Sequence, residues 1–212
     1  MKPTESTVCA TVEAAATPRP RLRPATTTDV DVIARVWHRG WFDGHLGHVP
    51  DGLSAFRTFT EFRRRAAARV LGTTVGVIGD RVVGFVIVNG DEVEQIYVAG
   101  PARGTGLADD LLAHAEAVIA DGHETAWLAV VAGNRRARRF YERNGWVDGG
   151  GIEYPAEVTD GNFLVPSRRY EKNVSPPSTN AQARTSPSGP TPFEASFENG
   201  HPQTLSSQIM AE

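Results

Sequence analysis

The sequence predicts one α/β domain built on a twisted sheet of mixed parallel and antiparallel strands, flanked by helices. Three β-branched runs, 73–78, 81–88 and 92–98, follow one another closely. Gly79–Asp80 and Asn89–Asp91 separate them, and such turns are hairpin signals, so this half of the sheet should be antiparallel. Two strand–helix–strand steps come next, and they require parallel pairing near the centre. A chain of 212 residues has room for one such domain.

The other elements follow from periodicity and from start and stop signals. Thr and Asp residues precede an apolar-periodic run from Val32 to Trp41, which predicts a first helix, and a second helix should span about 54–71. Beyond the three strands we expect a helix over 104–121, a strand over 126–131, a helix over 134–144 and a closing β-hairpin over 146–172. One further strand, near 21–25, stays an open option.

The composition changes at both ends of the chain. Residues 1–20 and 173–212 are rich in small and polar residues and proline, with few large apolar side chains, so we expect a disordered leader and a disordered tail. The predicted domain therefore covers 21–172. Cys9 is the one cysteine, which excludes an intrachain disulfide and fits a reducing compartment, and we expect a tolerated thiol there rather than a nucleophile.

Charge and hydropathy exclude several classes of partner. The formal net charge is -3, so the totals give no strongly basic face for nucleic acid. No apolar run approaches the roughly 20 residues that a membrane span needs, and no signal peptide is visible. The sequence therefore predicts a cytoplasmic protein that binds neither nucleic acid nor membrane.

The most informative stretch is a strand that runs through a glycine-rich loop into a helix. Ile96–Val98 lead into Arg103–Gly104–Thr105–Gly106–Leu107–Ala108. A helix N-terminus presents unpaired N–H groups and the positive end of the helix dipole, and glycines let an anion approach the backbone. The loop therefore predicts a phosphate site. It lacks the third glycine of a dinucleotide fingerprint and the Gly-Lys-Ser/Thr of a P-loop.

This stretch resembles motif A of the GCN5-related N-acetyltransferase (GNAT) superfamily, Gln/Arg-x-x-Gly-x-Gly/Ala, at each defined position from Arg103 to Ala108. A second stretch, 134–146, is similar to the family's N-x-x-A-x-x-F-Y-E-x-x-G-F signature, with Trp146 replacing the final Phe. About thirty residues and one strand separate the two, as in the family, and the order of elements over 21–172 also agrees.

The resemblance implies an N-acetyltransferase of the GNAT fold that uses acetyl-CoA as cosubstrate, needs no metal and lets a primary amine attack the thioester directly. Backbone groups of Ile96, Tyr97 and Val98 would hold the pantetheine and the thioester. The pyrophosphate would lie against the main chain of Arg103, Gly104, Thr105, Gly106, Leu107, Ala108 and Asp109. Asn134 would cap a helix, contact the cofactor, or do both.

An alkyl ammonium must lose a proton before it attacks, so the reaction needs a base. Glu94 is our first choice, since strict alternation places it on the same face as Ile96 and Val98, beside the expected thioester. His45 and His48 are the second option. As a pair they are expected to be solvated loop histidines rather than metal ligands. Tyr141, by resemblance, would donate a proton to the departing thiolate, the alternative being a packing role.

Two alternatives remain open at the level of sequence. One is a non-catalytic GNAT-like module that binds acyl-CoA as a sensor, and the other is a nucleotide-binding regulatory domain. The acceptor is equally open and could be a polyamine, an amino acid, an antibiotic amine, a peptide N-terminus or a lysine. A homodimer is a frequent arrangement in the family.

Overall fold

The computed structural model describes residues 19–158 and 161–175. The predicted leader with Cys9, and the predicted tail from 176 onward, lie outside the described residues. The α-helices are α1 Val30–His45, α2 Leu53–Phe56, α3 Phe59–Ala68, α4 Leu107–Ala120 and α5 Arg135–Arg143. The strands are β1 Arg21–Pro24, β2 Thr73–Ile78, β3 Arg81–Asn89, β4 Glu92–Val98, β5 Thr125–Val131, β6 Val147–Val158 and β7 Gly161–Asn173.

Seven strands form one mixed sheet in the order β1-β2-β3-β4-β5-β7-β6. Strands β1 to β4 pair antiparallel, β4 and β5 pair parallel, and β7 pairs antiparallel with both β5 and β6. The predicted mixed sheet is thus confirmed, including the optional strand near 21–25. The closing hairpin is confirmed as well, and its second strand runs one residue past the predicted domain end at 172.

Apolar side chains cover both faces of the sheet. Trp37, Phe62 and Phe85 are fully buried on the face that α1 and α3 cover. Leu107 and Leu111 are fully buried in a second cluster under α4 and α5. In the part of the chain that the structure describes, no helix is both long enough and apolar enough to cross a membrane.

The predicted second helix, 54–71, is wrong as a single element. It is divided into α2 and α3 because Thr58 caps a new helix, its hydroxyl accepting a hydrogen bond from the backbone N–H of Glu61 (3.2 Å). Arg57, at the break, turns inward and donates to the backbone carbonyl of Glu157 (2.6 Å). Phe56, the last residue of α2, is 43% exposed.

Strand β4 contains a β-bulge at Glu94. Gln95 is paired with Ile87 and Val93 with Val88, so Glu94 is an extra residue without a partner on β3. The bulge interrupts the strict alternation of side chains, as bulges do. The prediction that Glu94 shares a face with Ile96 and Val98 is therefore wrong: those two pack with Val93 in the α4 cluster, whereas Glu94 contacts Arg69 at the end of α3.

A cleft between diverging strands as the candidate active site

The candidate site lies where β4 and β5 separate. Their one register pair in the described structure joins Glu92 to Trp127, at the start of both strands. Beyond this pair the strands diverge, and a cleft of about 950 Å³ lies between them. The loop before α4 and the start of α5 line one half of the cleft. The helices α1 to α3 and the β6–β7 hairpin line the other, which we call the acceptor half.

Two glycines shape the loop before α4. Gly104 has φ 82° and Gly106 has φ 87°, in the left-handed region that other residues adopt only at a cost. Gly106 is the N-cap of α4, which begins at Leu107 rather than near 104 as predicted, and no side chain caps it. No atom of the described residues lies within 4 Å of where a Cβ on either glycine would stand. The N–H groups of the first turn of α4 therefore remain open to an anion.

Two charged side chains of the predicted phosphate loop bind protein partners. Arg103 Nη2 forms an ion pair with Asp43 Oδ2 of α1 at 2.5 Å. Asp109 Oδ1 accepts from Asn144 Nδ2 at 3.0 Å. Both residues line the cleft, together with Gly104, Gly106 and Ala108. Because these side chains are engaged elsewhere, the main chain is the part of the loop best placed to bind a phosphate.

Two other residues of the predicted loop do not line the cleft. The Thr105 hydroxyl donates to the carbonyl of Ala102 (2.8 Å) and so stabilises the turn itself. Leu107 is fully buried under β2 and β3, where Gly76 and Gly84 leave space for its methyl groups. The structure thus gives both residues roles in holding the loop.

Asn134 stands at the start of α5 and faces two ways. Its Oδ1 accepts from the backbone N–H of Ala137 at 3.0 Å, so the predicted helix cap is confirmed. Its Nδ2 lies 3.1 Å from the position of a Cβ built on Gly44 of α1, across the cleft. The exposed Arg135 and Arg136 follow directly and also line the cleft. The start of α5 therefore adds positive charge and an amide N–H to the loop side.

Tyr141 lines the cleft from within the α4–α5 core. Its side chain packs edge-on against Phe140 and Trp146, and the residue is only 8% exposed. Burial raises the pKa of its phenol above the ordinary value of 10. Among the described residues, no group hydrogen-bonds its hydroxyl. The phenol is therefore protonated at neutral pH and available as a donor.

Glu94 lies in the acceptor half as a paired carboxylate. Its Oε1 accepts from Arg69 Nε at 2.5 Å, and Arg69 Nη2 also donates to Glu157 Oε2 at 2.9 Å. The Glu94 side chain is 7% exposed. Within the described chain no protein donor contacts its Oε2. One carboxylate oxygen is thus fixed by Arg69, and the other remains available to a ligand or a water.

The two loop histidines differ in environment. The His45 ring stacks on Trp41, with an interplanar angle of 8°, and its Nδ1 lies 2.9 Å from the Trp41 carbonyl. A carbonyl can only accept, so Nδ1 carries the proton and Nε2 keeps its lone pair. Burial lowers the pKa of His45 to about 4. His48 is exposed and adjoins Gly133. Both histidines line the cleft. Among the described residues, neither belongs to a group of three or more side chains that could hold a metal ion.

We expect the neutral state of His45 to make stability depend on pH. The unfolded chain binds this proton near the ordinary pKa of 6.5, whereas the folded chain binds it only near 4. Between these values the unfolded state holds more protons, so stability falls as the pH falls, by up to about 3 kcal/mol for this group. Urea unfolding at pH about 7 and about 4.5 should show this loss in the wild type and not in His45→Gln. An equal loss in both proteins would contradict it.

Two buried arginines in the acceptor half were not predicted from the sequence as residues of the site. Arg57 is 3% exposed and Arg65 is 6% exposed, and both line the cleft. The predicted helix over 54–71 includes both residues, but nothing in the sequence assigned them a role in the site. The usable signal was spacing, because Arg65 stands three residues after Phe62 and so shares its buried helix face.

The family of the chain follows from its similarity to known proteins. The model of the Acetyltransferase (GNAT) family matches residues 35–146, just over half of the chain. The chain belongs to this family. The match includes the glycine loop and the Asn134–Trp146 stretch, so the suspected resemblance is confirmed. No curated protein matches the chain significantly.

Solved structures of GNAT proteins share the fold. A GCN5-related N-acetyltransferase from Rhodopseudomonas palustris has a TM-score of 0.59 and 17% identity, covering 76% of this chain and 99% of its own. PaiA N-acetyltransferase from Thermoplasma acidophilum, in complex with coenzyme A, has a TM-score of 0.58 and 14% identity. The match covers 73% of this chain and 98% of the PaiA chain. YncA from Salmonella typhimurium, with its cofactor acetyl-CoA, has a TM-score of 0.56 and 14% identity. The match covers 79% of this chain and 99% of the YncA chain. At these identities the similarity establishes the GNAT fold.

Proposed function

We propose that this GNAT protein transfers the acetyl group of acetyl-CoA to a primary amine. The observation that carries the proposal is the divergence of β4 and β5, which exposes a strand edge that leads directly to the open glycine loop of α4. An unpaired strand edge that continues into an anion site suits a long, phosphate-bearing cosubstrate. The two similar structures that contain coenzyme A or acetyl-CoA support the same choice.

The residues present fit acetyl-CoA along its length. Beyond Glu92, no strand of the described residues pairs with the edge of β4 that faces β5, so backbone groups of Ile96 to Val98 can pair with the amides of a pantetheine arm. The open N–H groups at Gly106 and the start of α4 suit the pyrophosphate. The exposed Arg135 and Arg136 can neutralise further phosphate charge.

The chemistry removes two protons from the ammonium nitrogen and supplies one to the sulfur. The thioester supplies an activated acetyl group, the amine nitrogen forms the new C–N bond, and the C–S bond breaks. Glu94 accepts the proton that the ammonium loses, directly or through a water on its free Oε2. A β4 backbone N–H donates to the carbonyl oxygen as negative charge develops there. Tyr141 donates its phenolic proton to the departing sulfur and is reprotonated by the second proton, which leaves the nitrogen as the amide forms.

Glu94 is the proposed base in preference to the histidines. The bulge directs its carboxylate into the acceptor half, and Arg69 fixes one oxygen there while the other stays available. His45 stacks on the Trp41 ring and holds its Nδ1–H on the Trp41 carbonyl, so it is the second choice. His48 is exposed to solvent, where a side chain is harder to position.

Calorimetric titration of acetyl-CoA into the full chain, followed by amine-dependent thiol release, tests the proposal. We expect micromolar binding, release of CoA thiol only when an acceptor amine is added, and slower release in Glu94→Gln with unchanged binding. Absence of binding would contradict the whole proposal. Binding without amine-dependent release from any amine class would instead favour an acyl-CoA sensor.

A further inference from the structure

Two guanidinium groups in the acceptor half are buried and incompletely satisfied. Arg57 and Arg65 are more than nine-tenths buried, yet both line the cleft. The Nε–H of each has no hydrogen-bond partner among the described residues. Buried charged donors are normally paired, since leaving one unpaired is costly. Each Nε is itself enclosed, so a ligand would meet the Nη atoms. Among the described residues, Arg65 donates no hydrogen bond from either Nη, and Arg57 donates one, from Nη1. The two side chains therefore have donors left for an acceptor atom that a ligand supplies.

The nearby carboxylates are already taken by other arginines. Arg64 binds both Glu61 (2.8 Å) and Glu157 (2.9 Å). Arg69 binds Glu157 (2.9 Å) as well as Glu94. Hydrogen bonds from Arg64 and Arg69 contribute to lowering the pKa of Glu157 to about 2, so it stays ionised and engaged.

The two buried arginines receive little from these carboxylates. Arg57 Nη1 donates to the backbone carbonyl of Glu157 rather than to its side chain. Arg65 Nε approaches the Glu157 carboxylate only to 4.0 Å, beyond hydrogen-bond distance. Four arginines thus share three glutamates here, and the surplus positive charge lies on the pair that faces the cleft.

The surroundings keep this pair in place without neutralising it. The Arg65 guanidinium lies 4.7 Å from the Trp37 ring centroid, and that of Arg57 lies 5.8 Å from Trp41. Burial, with the nearby charge of Arg65 as a second cause, lowers the pKa of Arg57 to about 10. Both arginines also act electrostatically on Tyr97 of β4, the strand that carries Glu94. The pair is therefore preorganised beside the expected reaction centre.

We propose that the acceptor amine also carries a carboxylate, as a free amino acid does, and that Arg57 and Arg65 bind this carboxylate. The inference rests on the proposed acetyl transfer and names its acceptor class. Arginine forks match carboxylates geometrically, and hydrogen bonds between two charged groups are among the strongest in proteins. Glu94, on the same side of the cleft, is placed for the ammonium end. Polyamines carry only positive charge and are repelled by the pair.

Thiol release from acetyl-CoA should be measured with matched pairs of acceptors: each of the common amino acids, its carboxamide, and spermidine as a polyamine. The amide keeps the amine and side chain and removes only the carboxylate charge. We expect at least one free acid to exceed its amide by about tenfold or more in kcat/KM. Preference for amides or spermidine, or no turnover of any free acid, would overturn the inference.

Variants then locate the carboxylate site. Arg65→Met and Arg57→Met should each reduce the acid-to-amide preference by about tenfold, chiefly through KM for the acid. Arg63→Met is the matched control, because Arg63 lies on the same helix but is exposed, pairs with Asp31 and does not line the cleft. It should keep the preference. A preference unchanged in both arginine variants, with thermal unfolding showing a folded protein, would overturn the assignment of the site.

Calorimetry with acetyl-CoA separates this inference from the proposed function. If the wild type binds acetyl-CoA and acetylates spermidine or amides but no free acid, the carboxylate site is wrong and acetyl transfer stands. If acetyl-CoA does not bind, acetyl transfer itself is wrong. A readout independent of turnover is binding of N-acetyl amino acids in the presence of CoA, which should weaken by about tenfold in Arg65→Met.

Discussion

Replacing Tyr141 by phenylalanine is expected to lower kcat for amine acetylation by about 10²- to 10³-fold, with acetyl-CoA affinity unchanged within about twofold. The phenol lines the cleft, has no protein hydrogen-bond partner among the described residues, and is kept protonated because burial raises its pKa. Phenylalanine fills the same space and retains the contacts with Phe140 and Trp146. The loss should therefore fall on the step in which sulfur departs.

Tyr170→Phe is the matched control for this prediction. Tyr170 is fully buried and packs against Tyr141, with ring centroids 6.1 Å apart, but its hydroxyl donates to Glu142 and does not line the cleft. The Tyr170→Phe substitution should lower thermal stability modestly and leave kcat nearly unchanged. Equal kcat values for wild type and Tyr141→Phe would assign Tyr141 to packing alone, which is the alternative that the sequence left open.

Replacing Gly106 by glutamate is expected to weaken acetyl-CoA binding by at least about 100-fold, which corresponds to about 2.7 kcal/mol. The left-handed φ of 87° disfavours any side chain, and the new carboxylate would stand in the open space before α4. There it would repel a pyrophosphate and occupy its place. Calorimetric titration measures the effect directly, and Gly106→Ala, without the charge, should bind with an intermediate affinity.

Gly79→Glu provides the control for backbone strain and added charge. Gly79 has φ 60°, has open space around a Cβ and lies in the β2–β3 turn, outside the cleft. The Gly79→Glu variant should be destabilised about as much as Gly106→Glu and still bind acetyl-CoA with the affinity of the wild type. Undiminished binding by Gly106→Glu would mean that the loop before α4 is not the phosphate site.

The parts of the site that the sequence predicted correctly are those encoded by near neighbours in the chain. The Gly79–Asp80 hairpin depends on turn residues, and the Asn134 cap on a bond to an N–H three residues away. The glycines of the loop before α4 depend on their own backbone conformations. Such local signals need no knowledge of the rest of the fold, which is why the order of elements along the chain and the glycine loop were predictable.

Only the tertiary structure decided how the acceptor half is built. The bulge at Glu94 arises from how β4 is paired with β3, and it reverses the face that alternation assigned to this carboxylate. Arg57 and Arg65 look like surface charges in a helical pattern, and their burial depends on Trp37, Trp41 and the β6–β7 hairpin, which come together only in the fold. The sequence by itself determined the family, the sheet and the glycine loop before α4, because local backbone preferences specify them. The burial and pairing of charges depend on distant residues, so the acceptor half could be described only from the tertiary structure.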